Sequence, residues 1–172
     1  MPGAVPAPFP VVASEAGEGA AMTDLSLPLE RAAIEAIIPH REPFLLVDRI
    51  VELEPGVRAR GEWVIAADLA FLAGHFPGNP IVPGVLMVEC AAQVGAVCAL
   101  THPDHRGKFG VFAGIDEVRF SRIVRPGEVL DVEVVVDRLR GRIGRASAAL
   151  SVGGEQAVRG VLTFALLEQA PA

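Results

Sequence analysis

Cysteine is scarce: only Cys90 and Cys98 occur in 172 residues. They fall in one helical-looking segment, separated by roughly 12 Å along a helix axis, too far for a disulfide. A disulfide framework is therefore excluded. Both read as small core residues of a reducing, cytoplasmic setting. No Cys/His spacing suggests a zinc site, and no metal is expected. Positive charge is also short. Lys and Arg number 15 against 21 Asp and Glu, a formal charge of −6, which argues against sequence-independent nucleic-acid binding by the whole chain. No uninterrupted apolar run reaches the roughly 18 residues of a membrane span, so membrane insertion is not expected. No repeat of fixed period occurs. What remains is one domain's length of chain, about half of it hydrophobic, enough for a sizeable core.

The first residues, "MPGAVPAPFPVVASEAGEGAAMTD", are rich in Ala, Pro, Gly and Glu. They lack a basic n-region and an apolar core, which argues against a secretory signal. Residues 1–24 are expected to be a flexible tail, with Met22 an alternative start, and residues 25–172 a single domain. Ser26–Ile38 has the spacing of a short helix. "FLLVDRIVEL" reads as a strand. "VRARGEWVI" alternates cleanly, as a half-buried strand does. "KFGVFAGID" and "EVRFSRIV" read as two strands, and "EVLDVEVVVDRL", "RASAALSV" and "AVRGVLTFALL" as three more, with a hairpin turn at Gly153-Gly154. The fold class is α+β: an antiparallel sheet with one buried helix.

That helix is predicted over Val85–Leu100. It is apolar on nearly every face, and only Glu89 and Gln93 are polar. A helix apolar all round is buried all round. One sheet covers only one side of it, so a dimer is the expected cover for the other. Glu89 is then an anomaly, because a carboxylate among Leu86, Val88, Cys90 and Ala91 is costly unless paired or protonated. Burial favours the protonated form, which suits a general acid. Gln93, one turn on, shares its face; a buried structural network is the competing account. Just upstream lies "GHFPGNPIVPGV". Its prolines and glycines fix the backbone around His75, although a plain loop histidine is the alternative. Pro83 suits the first helical turn and Gly84 lets a ligand approach. The free N–H groups there attract an oxygen gaining negative charge. The segment thus holds an imidazole base, a carboxylic acid and an oxyanion-binding amide, the parts for proton abstraction beside a carbonyl and loss of a leaving group.

Four blocks carry a resemblance: "PHREPFLLVDRI", "GHFPGNPIVPGVLMVECAAQ", "FAGIDEVRFSRIVRPGEVL" and "VLTFALL". In this order, over Ile38 to Leu167, they resemble the (3R)-hydroxyacyl-acyl carrier protein dehydratases of bacterial fatty acid synthesis. The resemblance implies a hot-dog fold, an antiparallel sheet wrapped around a long central helix. It implies a homodimer, commonly a trimer of dimers, and an acyl tunnel along the dimer interface. It implies that His75 of one subunit takes the α-proton and that the Gly84 amide polarises the thioester carbonyl. Glu89 of the other subunit then protonates the departing hydroxyl. Phe76, Pro83, Val85 and Gln93 are candidates for substrate positioning or tunnel wall. The substrate arrives on the phosphopantetheine of acyl carrier protein, and no cofactor is required. The chain departs from the family pattern at Glu42, at Val82 and in "ECAAQ", none of which touches the chemistry. They leave a relative devoted to polyketide chains open.

His40 lies in a matched block but is not needed by this chemistry; a structural role is expected. His102 and His105 read as a solvated loop. Phe44, Phe109, Phe112 and Phe120 are core or tunnel wall. Arg119, Arg122 and Arg125 are candidates for docking an acidic carrier, with solvated strand positions as the plainer reading. The alternatives for the whole chain are a hot-dog thioesterase, an enoyl-CoA hydratase and a non-catalytic acyl-binding subunit. Glu89, where some relatives carry aspartate, favours dehydration without isomerisation.

Overall fold

The alternating segments form strands where their patterns put them. In a computed structural model, which describes residues 26–168, Arg58–Val64 (β3), Val129–Arg140 (β5), Ile143–Val152 (β6) and Glu155–Glu168 (β7) are strands. Ala59, Trp63, Leu130, Val132, Ala146, Leu150, Leu162 and Leu166 are buried, all at positions the alternation turned inward. Gly153 and Gly154 close the β6–β7 hairpin at φ +58° and +83°, a left-handed pair that glycine takes without strain. The tail assigned to residues 1–24 lies outside the described residues.

The remaining strands are Leu29–Glu30 (β1), Arg49–Glu54 (β2) and Lys108–Phe120 (β4), and the order is β1-β2-β3-β5-β6-β7-β4. Every pairing is antiparallel. The sheet wraps the helix Gly84–Thr101 (α3), which touches β2 through β7. This is the hot-dog arrangement. By length and composition α3 would also pass as a membrane span, at a mean hydropathy of 1.7; here the sheet takes the place of lipid. The helix packs closely over Gly61, where an added Cβ would lie 2.8 Å from Val94 Cγ2.

Burial of α3 is not uniform. Val85 is exposed, and Glu89, Ala92 and Ala96 are only half-buried, while Cys90, Ala91, Val94, Val97 and Cys98 are fully enclosed. Positions 85, 89, 92 and 96 recur every three or four residues, so they form one open stripe along the helix. Within one chain the sheet therefore leaves one line of α3 open, as expected of a sheet that covers only one side of the helix.

Four element boundaries differ from expectation. The first helix, α1, is only Arg31–Ile37, because Leu29 and Glu30 pair with Ile50 and Arg49 at the sheet edge. Phe44–Asp48 precedes β2 as irregular chain. Its backbone is satisfied elsewhere: the Leu46 N–H donates to Gln93 and the Asp48 N–H to the Glu62 carbonyl. The two strands expected around Asp116 are one, with irregularities at Phe112/Gly114 and Asp116/Arg119 and Glu117 at φ +54°. A bulge bends a strand without ending it. Finally, Ala70–Gly74 forms a one-turn helix (α2) that no periodicity announced.

Candidate active site

His75 caps α2, its N–H donating to Phe71 and Leu72 carbonyls. Its Nδ1 lies 2.8 Å from the Ile81 carbonyl oxygen. A carbonyl only accepts, so Nδ1 carries the hydrogen, and in the neutral ring the free lone pair is then on Nε2. That is the tautomer a general base requires. Phe76, next in sequence, has φ +57°, a left-handed backbone that costs a non-glycine residue on the order of 1–3 kcal/mol. The bend sets its ring edge-on to the imidazole, centroids 4.7 Å apart.

The loop carrying His75 is anchored by residues more than forty positions on in sequence. Val82 N–H donates to the Val124 carbonyl, and Arg125 Nη1 donates to Asn79 Oδ1 at 2.8 Å. Glu128 holds this anchor in turn, accepting from the Arg125 N–H at 2.7 Å and from Arg122 Nη2 at 2.6 Å. The Arg122 hydrogen bond holds the Glu128 carboxyl below the ordinary carboxylate range. Arg122 also reaches Glu155 at 2.9 Å. Two of the three arginines offered as a docking patch are thus engaged, Arg125 with Asn79 of the loop and Arg122 with the Glu128 and Glu155 carboxylates. Arg119 donates to the Val118 carbonyl beside it.

Glu89 stands on the open stripe of α3, its side chain 17 % exposed. Gln93 Nε2 donates to Glu89 Oε1 at 2.9 Å and to the Phe44 carbonyl at 2.8 Å, while Gln93 Oε1 accepts from the Leu46 N–H at 2.8 Å. An amide nitrogen can only donate to a carbonyl, and only the amide oxygen can accept from an N–H. These partners therefore fix which end of Gln93 faces Glu89. Gln93 itself is fully buried. His40 Nε2 also approaches Glu89 Oε1, at 3.4 Å. The contact at His40 was not expected; its only sequence signal was membership of the "PHREPF" block.

Glu89 and His40 are the titratable groups at a cavity of about 90 Å³. Ala92, Ala96, Phe112, Val134, Leu162 and Phe164 are among its otherwise apolar walls. Phe76, Pro83, Val85 and Gln93 do not line it, and neither does His75. Among the described residues no hydrogen bond or ion pair joins His75 to Glu89 within the chain. Gly84 opens α3, where its N–H lacks a helical acceptor. The Phe120 ring covers its Cα: a Cβ there would lie 2.7 Å from Phe120 Cε1.

The other singled-out residues sit elsewhere. Cys90 and Cys98 are buried, and burial pushes both thiols up, Cys98 to about 12. The His102 and His105 rings are tilted against each other with centroids 5.2 Å apart across a short 3-10 turn, and His102 packs over Gly56. The pair is thus more packed than a solvated loop. No cluster of three or more metal-ligating side chains occurs among the described residues.

The FabA-like domain family matches residues 38–160. The 3-hydroxyacyl-acyl-carrier-protein dehydratase FabZ of Chloroflexus aggregans is 56 % identical over 135 residues, covering 78 % of this chain and 94 % of its own. That of Thermomicrobium roseum is 53 % identical over 140 residues, covering 81 % and 94 %. Among solved structures, the dehydratase heterocomplex ApeI:P from Xenorhabdus doucetiae superposes with a TM-score of 0.68 at 20 % identity, over 79 % of this chain and 91 % of that one. A sigma28-regulated virulence protein from Campylobacter jejuni gives 0.62 at 13 % identity, over 80 % and 90 %. Identities this low speak for the fold alone.

Proposed function

The chain belongs to the 3-hydroxyacyl-acyl-carrier-protein dehydratases with a FabA-like domain, and on that premise we propose that His75 and Glu89 are its base and acid, meeting across a homodimer. The enzyme removes water from a 3-hydroxyacyl thioester in fatty acid biosynthesis. The substrate arrives on acyl carrier protein. In the proposed reaction, His75 Nε2 takes a proton from the α-carbon. The α–β bond becomes double as the β C–O bond breaks, and the Glu89 proton leaves with the hydroxyl as water. The product is a trans-2-enoyl thioester. His75 then returns its proton to solvent and Glu89 regains one. The Gly84 N–H at the start of α3 meets the thioester oxygen, where charge develops in the transition state. These steps use side chains and backbone alone and call for no metal or redox cofactor.

The observation that carries this reading is the setting of Glu89: one oxygen tied by Gln93, in an apolar cavity, on the one stripe of α3 the sheet leaves open. The missing partner for that stripe supports the dimer. So does β4, the last strand of the sheet among the described residues, on which Val111, Phe112, Ile115 and Phe120 are exposed; an apolar edge strand is normally covered. A trimer of such dimers is compatible with this arrangement. The cavity is smaller than the roughly 150 Å³ that admits benzene, so a long acyl chain needs space from the partner's side. The two buried thiols fit a reducing, cytoplasmic setting.

Incubation with a 3-hydroxyacyl carrier thioester tests the function. Loss of 18 Da with a new enoyl absorbance is expected, roughly the mass of one water in the reaction above. Release of free acid would mean a thioesterase. Turnover of the coenzyme A thioester alone would mean a hydratase, and binding without turnover an acyl-binding subunit. Ala96→Leu tests the acyl cavity. It is expected to lower kcat/KM for an eight-carbon substrate roughly tenfold more than for a four-carbon one.

A further inference from the structure

We propose that His40 is a positioning residue for the acid, its Nε2–H strengthening a hydrogen bond to Glu89 Oε1 as negative charge appears there. The proposal rests on the assignment of Glu89 as the proton donor.

The two groups at Oε1 differ in state. Gln93 Nε2 is already at hydrogen-bond distance, 2.9 Å, and its orientation is fixed by Leu46 and Phe44. It therefore serves the protonated and ionised acid alike. His40 Nε2 stands off at 3.4 Å, longer than a formed N–H···O bond. Contacts of this kind in unliganded sites tighten when the charge they serve develops. No hydrogen bond or ion pair reaches Glu89 Oε2 among the described residues, which leaves Oε2 to carry the proton. When that proton leaves for the β-hydroxyl, the charge spreads to Oε1 and draws the His40 N–H inward. An interaction stronger in the transition state than in the ground state raises kcat and leaves substrate binding alone.

The surroundings suit the role. The His40 ring is stacked on Phe44 with centroids 6.2 Å apart. Its backbone is gripped by Arg41, whose Nη1 donates to the Ile38 and His40 carbonyls. Its Nδ1 is buried with no hydrogen-bond partner, so Glu89 is the ring's polar contact among the described residues. A lone pair on Nε2 would oppose the lone pairs of Oε1, which places the ring hydrogen on Nε2. The charges on the same stretch of chain are Arg41, whose guanidinium donates to the His40 carbonyl, Glu42, which stands 3.9 Å from Arg31, and Asp48, held by Arg31 at 2.6 Å. Cys90 stays a neutral thiol, and the walls contributed by β4 to β7 are apolar.

The experiment compares His40→Leu and His40→Gln with wild type and with Glu89→Gln, on acyl carrier substrate. His40→Leu is expected to lower kcat by roughly 10- to 100-fold, the scale of one hydrogen bond to a charged group. KM and the melting midpoint should stay near wild type. His40→Gln, which keeps an N–H donor, should recover a large part of the loss. A His40→Leu enzyme with wild-type kcat would overturn the proposal. So would a loss that tracks the melting midpoint and is equal in the Leu and Gln variants, since that is packing. If Glu89→Gln is itself fully active, the acid assignment fails instead, and the two failures are distinguishable.

Discussion

Glu89→Gln and His75→Ala are each expected to lower kcat for dehydration by roughly 10²- to 10⁴-fold, the contribution of one positioned acid or base. Neither should lower the melting midpoint appreciably. His75 sits on an anchored but half-exposed loop, and its one side-chain hydrogen bond goes to the Ile81 carbonyl. Glutamine at position 89 keeps the shape of the side chain and an oxygen for Gln93, but has no proton to give. Because acid and base act in one concerted or tightly coupled event, the double variant should be little worse than either single one. Additive losses would mean that the two residues work in separate steps. Stopped-assay mass spectrometry of the acyl carrier species measures all three.

Gln93→Leu is expected to fail in both stability and activity. Leucine nearly conserves volume, so the change isolates the loss of hydrogen bonds from the opening of a cavity. Gln93 is fully buried and serves Leu46 N–H, Phe44 carbonyl and Glu89. Removing it orphans two backbone groups, at about 1–3 kcal/mol each. A loss of about 2–6 kcal/mol is large beside the 5–15 kcal/mol that typically stabilises a domain. Glu89 loses its ground-state tether at the same time, so kcat should fall in the molecules that remain folded. A Gln93→Leu protein with unchanged midpoint in urea melts would contradict the network.

The strands were legible because each is half-buried and its alternation is local: Trp63, Leu130 and Leu150 declare their faces from neighbours two positions away. Glu89 was legible for the opposite reason, as a charge in the wrong company. What escaped detection depended on distant contacts. Phe44–Asp48 looks like a strand until Gln93, nearly fifty positions on, takes its hydrogen bonds. His40 looks like a turn residue until α3 brings Glu89 to it. Arg122 and Arg125 look like a solvent-facing basic pair, and only the folded loop reveals Asn79 and Glu128 as their partners. The one-turn helix α2 is too short to show a period at all. His75 and Glu89 stood out from the residues as base and acid, but their meeting across a dimer came from family resemblance, and among the described residues no hydrogen bond or ion pair joins them within one chain.

Neither His75→Ala nor Glu89→Gln should be active alone, yet mixed by co-expression they form heterodimers. In each heterodimer one site has the intact His75 of one subunit facing the intact Glu89 of the other, and the second site lacks both. Random pairing makes half the dimers mixed, so about a quarter of wild-type activity should return. A co-expressed mixture, shown by native mass spectrometry to contain heterodimers, that stays as inactive as its components would contradict a shared site.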